Sequence, residues 1–345
     1  MKKLDYIIVG DGFGALFFAH QLIKNGKSFQ LFSEGEKGAS RVSAGLVNPV
    51  VLKKFTTFDR AMEQIESLHQ SLEEIAQYTG VNYFIHEPIH RIFHDEKERL
   101  LWKSKAQNPS LAPFLSLDDI TLEGIANPYG VGKVTHSGRI DVEAFFKGLT
   151  TALKDRQILK EEQFDYQALD ASAGRYKELA FSHVVFAEGM GVRENPFFKD
   201  LPVIPNKGHR LTLTLPSGGN LTHVVKKKHF LFPLSKQQFY YGGTYDRHSE
   251  TNEIDPVAIE QLKRGLEEFY SGPVENLDAQ FGFRPTVRDR RPILGASAKF
   301  PNLFVFNGLG ARGVLNGNFY APFLFKHIET QSALPMEVDL KRFNF

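Results

Sequence analysis

The hydrophobic pattern at the N-terminus changes period abruptly. Tyr6-Ile7-Ile8-Val9 is a continuous apolar run of the kind a strand shows when both its faces are covered, and it breaks at Gly10. Beyond the break Ala15, Phe18, Ala19, Leu22 and Ile23 recur at helical spacing, with Gly26 as a natural stop. A second apolar run follows at residues 29–32. Strand, glycine loop, helix and strand in that order predict the first βαβ unit of a doubly wound sheet.

The pattern then alternates between loops, helices and strands. Gly38-Ala39-Ser40-Arg41-Val42-Ser43-Ala44-Gly45 holds too much glycine and serine for an element interior, so it predicts a loop pressed against a ligand or another backbone. Met62, Ile65, Leu68, Leu72 and Ile75 mark an amphipathic helix ending at Gly80. Residues 81–135 mix short strand-like runs without a clean βαβ unit. Asp141 is placed as an N-cap for a helix whose apolar stripe is Val142, Phe145, Phe146, Leu149 and Leu153. A buried-type strand at 183–187 runs into Gly189 and Gly191, and residues 203–244 are strand-rich with hairpin-like turns. Asp255-Pro256 opens another helix, with proline at its first position. A last strand at 303–306 leads through Gly308, Gly310 and Gly313 into a helix that Pro322 is expected to kink.

Composition narrows the classes. A chain of 345 residues suits two domains, and 42% hydrophobic content suffices for a core. The 31 phenylalanines suggest packing only. A net charge of +2 gives no overall pull toward nucleic acid or a membrane surface. The absence of cysteine excludes disulfides, thiolate nucleophiles, cysteine metal sites and a cysteine-linked flavin. No apolar run is long enough to span a bilayer. Lys2 and Lys3 ahead of Ile7-Ile8-Val9 have the outline of a signal peptide, but Asp5, Asp11 and the glycines interrupt it, so the cytoplasm is the expected compartment.

The loop Gly10-Asp11-Gly12-Phe13-Gly14-Ala15 fits G-x-G-x-x-G/A and asks for a dinucleotide. Gly10 makes the tight turn, Gly12 lets backbone approach a pyrophosphate, and Ala15 lets helix and strand pack closely. The helix N-terminus offers free N–H groups and partial positive charge to the phosphates. Glu34, about 20 residues on, stands where an acid can hold a ribose hydroxyl. His86, His90 and His94 are evenly spaced, but Pro88 opposes the helix that would make them metal ligands, and on a strand they give a polar face. Lys226-Lys227-Lys228-His229 reads as a solvated hairpin tip that could also touch phosphates.

Several motifs in one order resemble the FAD-dependent D-amino acid oxidase superfamily, closest to its glycine oxidase and D-amino acid dehydrogenase branch. The N-terminal loop resembles the FAD pyrophosphate loop, and Ser40-Arg41 through Gly45-Leu46 resembles the loop that passes the flavin. Gly138-Arg139-Ile140-Asp141 and Val184-Val185-Phe186-Ala187-Glu188-Gly189 match further FAD-domain segments, although Glu188 stands where the family usually has a small residue. Residues 201–208 and Gly242-Gly243-Thr244 resemble the substrate-domain sheet. Gly282-Phe283-Arg284-Pro285-Thr286-Val287-Arg288-Asp289 and Pro292-Ile293-Leu294-Gly295 match the C-terminal signature.

The resemblance implies an α/β chain: a Rossmann-like FAD-binding domain from residues 1–80, 136–200 and 280–345, with an inserted strand-rich α+β substrate domain from 81–135 and 201–279. It implies non-covalent FAD held by Gly10, Gly12, Phe13, Gly14, Ala15, Ser40, Arg41, Gly45, Leu46, Phe164, Gly189, Gly308, Gly310, Ala311, Gly313 and Val314. Aligned without a gap, the ribose position falls on Ser33; slipped by one, it falls on Glu34.

The implied activity is oxidation of a C–N bond by hydride transfer to flavin N5, which needs no acid–base dyad because the cofactor carries the chemistry. Arg284 and Arg312 are the implied substrate arginines, since a planar guanidinium binds a carboxylate with two parallel charged hydrogen bonds. A structural pair between Arg284 and Asp289 is the competing reading. Phe230 is expected to be strand core. The implied substrate is a small amino acid or N-substituted glycine.

Gly308-Leu309-Gly310-Ala311-Arg312-Gly313 and Ala44-Gly45-Leu46-Val47-Asn48-Pro49 are also similar to the FAD domain of the bifunctional wobble-uridine-modifying enzyme. That domain removes a carboxymethyl group from an amine on a tRNA base. A near-neutral chain without a counterpart of that enzyme's methyltransferase domain favours the small substrate over tRNA. A non-catalytic flavin-binding protein is the third reading.

Overall fold

The computed structural model describes residues 2–35, 38–118, 120, 122, 124–216 and 221–343. Strand β1 (Lys2–Val9) lies in the middle of the first sheet. It pairs in parallel with β2 (Phe29–Phe32) on one side and with strand Leu179–Phe186 on the other, and that strand pairs in parallel with Leu303–Asn307. The continuous apolar run of β1 has a direct cause: both faces of the strand are covered. Tyr6 and Ile8 pack toward helices on one face, while Ile7 and Val9 pack with Phe32, Phe186 and Phe198 on the other.

The predicted helices form where caps and stripes placed them. Helix α1 (Phe13–Lys24) follows the glycine loop, and α2 (Ala61–Thr79) stops at Gly80 in the left-handed conformation. Helix α3 (Glu96–Ala106) is capped by Asp95. Asp141 caps α4 (Val142–Asp155), accepting from the Ala144 N–H at 3.0 Å, and Asp255 caps α5 (Pro256–Glu267), accepting from the Val257 N–H at 2.9 Å. Helix α6 (Gly313–Thr330) runs through Pro322 as one element.

Close approach between α1 and α6 rests on small residues. A Cβ on Gly313 would lie 3.3 Å from Phe13 Cδ2, and one on Gly317 would lie 3.2 Å from Phe17 Cδ2. Phe13 and Phe17 also meet Phe145 and Phe146 of α4, with ring centroids 5.2 to 5.9 Å apart. The abundant phenylalanine thus joins three helices over the sheet, and aromatic contacts of this kind add to simple burial.

The second sheet has the order Glu275–Thr286, Ile204–Thr214, Gln238–Gly242, Phe230–Pro233, Val224–Lys226, Ile89–Ile92, Val131–Val134, Leu115–Asp118. Leu262 and Leu266 of α5 pack on one of its faces with Leu211, Leu213 and Tyr241. A small third sheet joins Leu46–Val47, Gly138–Ile140 and Phe84–Ile85. The basic run is a hairpin turn between Val224–Lys226 and Phe230–Pro233, but it is not wholly solvated: His229 is buried, with Nδ1 3.1 Å from the Gly243 carbonyl. Phe230 is half-buried strand packing, beneath the Lys226 ammonium at 4.2 Å.

Gly45 and Gly26 share a φ of +62°, but a Cβ on Gly45 would come within 2.4 Å of the Ile140 carbonyl oxygen, whereas one on Gly26 meets nothing within 4 Å. Gly26→Ala should therefore cost only about 1 kcal/mol of left-handed strain, and Gly45→Ala about 3 kcal/mol once overpacking is added. Urea unfolding midpoints of the two variants check this ordering.

Candidate cofactor and substrate site

The loops that the sequence marked come together beyond the carboxyl ends of the parallel strands, where ligands bind in open α/β sheets. Gly10 has φ +110°, and a Cβ there would lie 2.5 Å from the Ala187 carbonyl oxygen, so the tips of two strands can touch. Gly12 faces Ser40, whose Oγ would be 3.0 Å from an added Cβ and accepts from the Phe13 N–H at 3.3 Å. Helix α1 begins with no side-chain cap and no acidic residue in its first turn, leaving its positive end available to an anion.

Glycines also seat the remaining loops. A Cβ on Gly14 would be 3.3 Å from Leu309 Cδ1, bringing the 308–313 loop beside the N-terminal loop. Gly282 clears room for Ala39, whose Cα would be 2.9 Å from an added Cβ. Gly189 would place a Cβ 3.9 Å from Pro285, and Gly310 one 3.9 Å from Thr286. An uncapped helix end with glycine walls and donor side chains fits a dinucleotide pyrophosphate.

Not every expected residue joins this ring. Strand β2 ends at Phe32, so Ser33, buried at 4% exposure, takes the position after it and Glu34 points to solvent. Ser33 Oγ donates to Asp11 Oδ2 at 2.9 Å, and Arg41 Nη2 reaches the same oxygen at 2.8 Å while its guanidinium lies 4.5 Å over Phe146. Phe164 sits in the core below, stacked on Tyr176 at 4.2 Å and edge-on to Phe32. Ala15 and Val314 are buried in helix packing, Leu46 is half-buried in the third sheet, and Ala311 is exposed.

Glu188 lies beside the glycine loop, its Cα 3.3 Å from where a Gly10 Cβ would be. Tyr166 donates to its Oε1, and Asn195 Nδ2 donates to its Oε2 at 2.7 Å. Burial pushes this carboxyl up to about 7.

Arg284 projects from strand Glu275–Thr286 into space that two glycines clear. A Cβ on Gly208 would strike its Nη1 at 2.3 Å, and one on Gly243 would lie 3.0 Å from Nη2. Its Nη1 donates to the Thr244 carbonyl at 3.1 Å, and the guanidinium stacks on Tyr245 at 4.4 Å. Arg284 forms no ion pair with a described residue; Asp289 pairs instead with Arg342 at 2.9 Å. Arg312 likewise has no described carboxylate partner and stacks on Phe58 at 4.0 Å. Burial first, then the nearby Arg291, lowers its pKa. Tyr240, its phenol pushed up to about 12 by burial, remains a hydrogen-bond donor beside Gly242 and Gly243. Lys207 is fully buried, and its Nζ donates to the carbonyls of Thr251 and Glu253, both at 2.6 Å, pinning the loop that follows Tyr245. Among the described residues no group of three histidine or acidic side chains is placed to hold a metal, and no helix is long and apolar enough to cross a membrane.

The sequence profile of the DAO family, FAD dependent oxidoreductase, matches residues 5–321. The chain belongs to this family. Its members are FAD-dependent, and the chain is accordingly a flavin-family oxidoreductase. The fold is that of glycine oxidase from Geobacillus kaustophilus, with TM-score 0.82, 19% identity and all of both chains covered. Iminodiacetate oxidase from Chelativorans sp. BNC1 superposes with TM-score 0.76 and 18% identity over 96% of this chain and 97% of that one. By sequence the chain is similar to the tRNA 5-methylaminomethyl-2-thiouridine biosynthesis bifunctional protein MnmC of Actinobacillus pleuropneumoniae serotype 3 (strain JL03). Identity is 23%, over 97% of this chain and 57% of that protein. It is also 29% identical, over 45% of its length, to 24% of the bifunctional protein ThiO/ThiG of a Nostoc species. The chain spans from about a quarter to a little over half the length of these curated relatives.

Within this member of the family, sequence reasoning did not single out Asp11, Tyr245, Tyr240 or Lys207. Asp11 fills a free position of the glycine motif; Tyr240 and Lys207 acquire significance only through strand pairing in the sheet that carries Arg284, and Tyr245 only through its stack on that guanidinium.

The raised Glu188 carboxyl has a pH consequence. The folded state keeps its proton to about pH 7, the unfolded chain only to the ordinary carboxylate range, so this group's contribution is full in acid and is lost as pH rises through 7. Glu188→Gln should remove that loss. Unfolding midpoints of the variant and the parent, taken from pH 5 to 8, should diverge in the variant's favour toward pH 8.

Proposed function

We propose that the chain binds FAD non-covalently and oxidises the C–N bond of a small amino acid or N-substituted glycine, with residues 201–279 and 81–135 supplying the substrate side. Arg284 carries this reading. A guanidinium that is half-buried, cleared by two glycines and left without a described counter-ion is built to receive an anion. The bound flavin would supply the hydride acceptor, at N5. The protein's part is to fix the substrate carboxylate on Arg284, orient the amine-bearing carbon and limit water. Arg312, at the start of α6, supplies a second positive charge. Tyr245 and Tyr240 flank the carboxylate position, one exposed over Arg284 and one buried beside it.

A second reading has one observation in its favour: the wobble-uridine tRNA protein matches 97% of this chain. The carboxymethylamine that such a domain cleaves is itself an N-substituted glycine, so the same arginine serves either substrate. Anaerobic flavin bleaching separates them. Bleaching by free amino acids or sarcosine-like amines supports the first reading, and bleaching only by carboxymethylaminomethyl-bearing tRNA supports the second.

Arg284→Ala should lower kcat/KM for carboxylate substrates by roughly a hundredfold, about 3 kcal/mol for a lost charged double hydrogen bond. Steady-state kinetics on the substrate that bleaches the flavin check it; an unchanged kcat/KM removes Arg284 from the site.

A further inference from the structure

In doubly wound dinucleotide folds the end of the second strand carries the acidic residue that accepts a ribose hydroxyl. Here that position is Ser33, a neutral hydroxyl, and Glu34 beside it faces solvent. The negative charge is nevertheless present, supplied from the glycine loop. Asp11 Oδ2 sits 2.9 Å from Ser33 Oγ, so the carboxylate of the first loop occupies the place beside the end of β2.

Three features show this carboxylate to be held rather than incidental. Ser33 Oγ accepts from the Gly35 N–H at 3.1 Å and donates to Asp11, which fixes the direction of the hydroxyl. Arg41 Nη2 binds the same Asp11 oxygen at 2.8 Å and balances its charge. Both bonds go to Oδ2, and Oδ1 accepts none from these two partners. A carboxylate next to a pyrophosphate cradle would repel the diphosphate unless neutralised nearby, and Arg41 provides that neutralisation.

We propose that Asp11, oriented by Ser33 and charge-balanced by Arg41, accepts the adenosine ribose hydroxyl of FAD in place of an acid at the end of β2. The inference rests on the FAD reading above.

The test reads binding, not turnover. The flavin is removed and rebinding of FAD is followed by flavin fluorescence; ADP and 2′-deoxy-ADP then compete for the adenosine half. Wild-type protein should prefer ADP by about tenfold, the factor expected for one charge-assisted hydrogen bond. Asp11→Asn and Asp11→Ala should bring the ratio close to one, while Glu34→Gln should leave it near tenfold. Asp11→Asn keeps the side-chain shape, and the wild-type ratio stands as a test even if Asp11→Ala misfolds. FAD binding without any ADP preference in the wild type overturns the ribose assignment alone. So does a preference that survives in the Asp11 variants or vanishes in Glu34→Gln. Failure of the wild-type protein to bind FAD overturns both readings.

Discussion

The tip of β1 can lie against the Ala187 carbonyl only because Gly10 has no side chain and can adopt φ +110°. That contact fixes how the first turn leaves the sheet, and so where the N-terminus of α1 points. It also places Glu188 and Gly189 next to the loop. The rest of the ring depends on the same economy of side chains: Gly12 against Ser40, Gly14 against Leu309, Gly282 against Ala39, Gly313 and Gly317 against the phenylalanines of α1. Backbone brought this close leaves main-chain donors lining the site, which is what a diphosphate requires.

Charge is distributed on a different principle from packing. Most cations with well-defined partners are matched to an acid, as with Arg91 and Glu98, Arg139 and Glu87, and Arg342 and Asp289. Arg284 and Arg312 break that rule among the described residues and are held by carbonyls and aromatic rings instead. Carbonyls and ring faces orient a guanidinium without neutralising it, so its affinity for an anionic substrate is retained. Lys207 shows the complementary use of a buried cation, spending its three donors on the Thr251–Glu253 loop and leaving none for a ligand.

The elements that sequence made legible are those with local causes. The alternation of Tyr6, Ile7, Ile8 and Val9 between two covered faces, the caps at Asp141 and Asp255, and the stop at Gly80 each depend on a few adjacent residues. The glycine loop and the Arg284 signature were readable for the same reason. The environment of the basic run was less so: nothing local says that His229 is buried, because that depends on the Gly243 carbonyl, just past the strand Gln238–Gly242, and on the close approach of Gly265 in α5.

By itself the sequence determined a βαβ start, a dinucleotide loop at Gly10 to Ala15, and a pair of arginines far downstream. Periodicity, caps and glycine spacing are short-range properties written in consecutive residues. Only the tertiary structure decided that Ser33 rather than Glu34 follows β2, that Asp11 and Arg41 meet there, and that Phe164 lies in the core. It alone also showed that Asp289 turns to Arg342 and leaves Arg284 without a described counter-ion. Each of those outcomes is a competition between partners distant in the chain, and such competitions are settled by packing geometry, not by any neighbour in sequence.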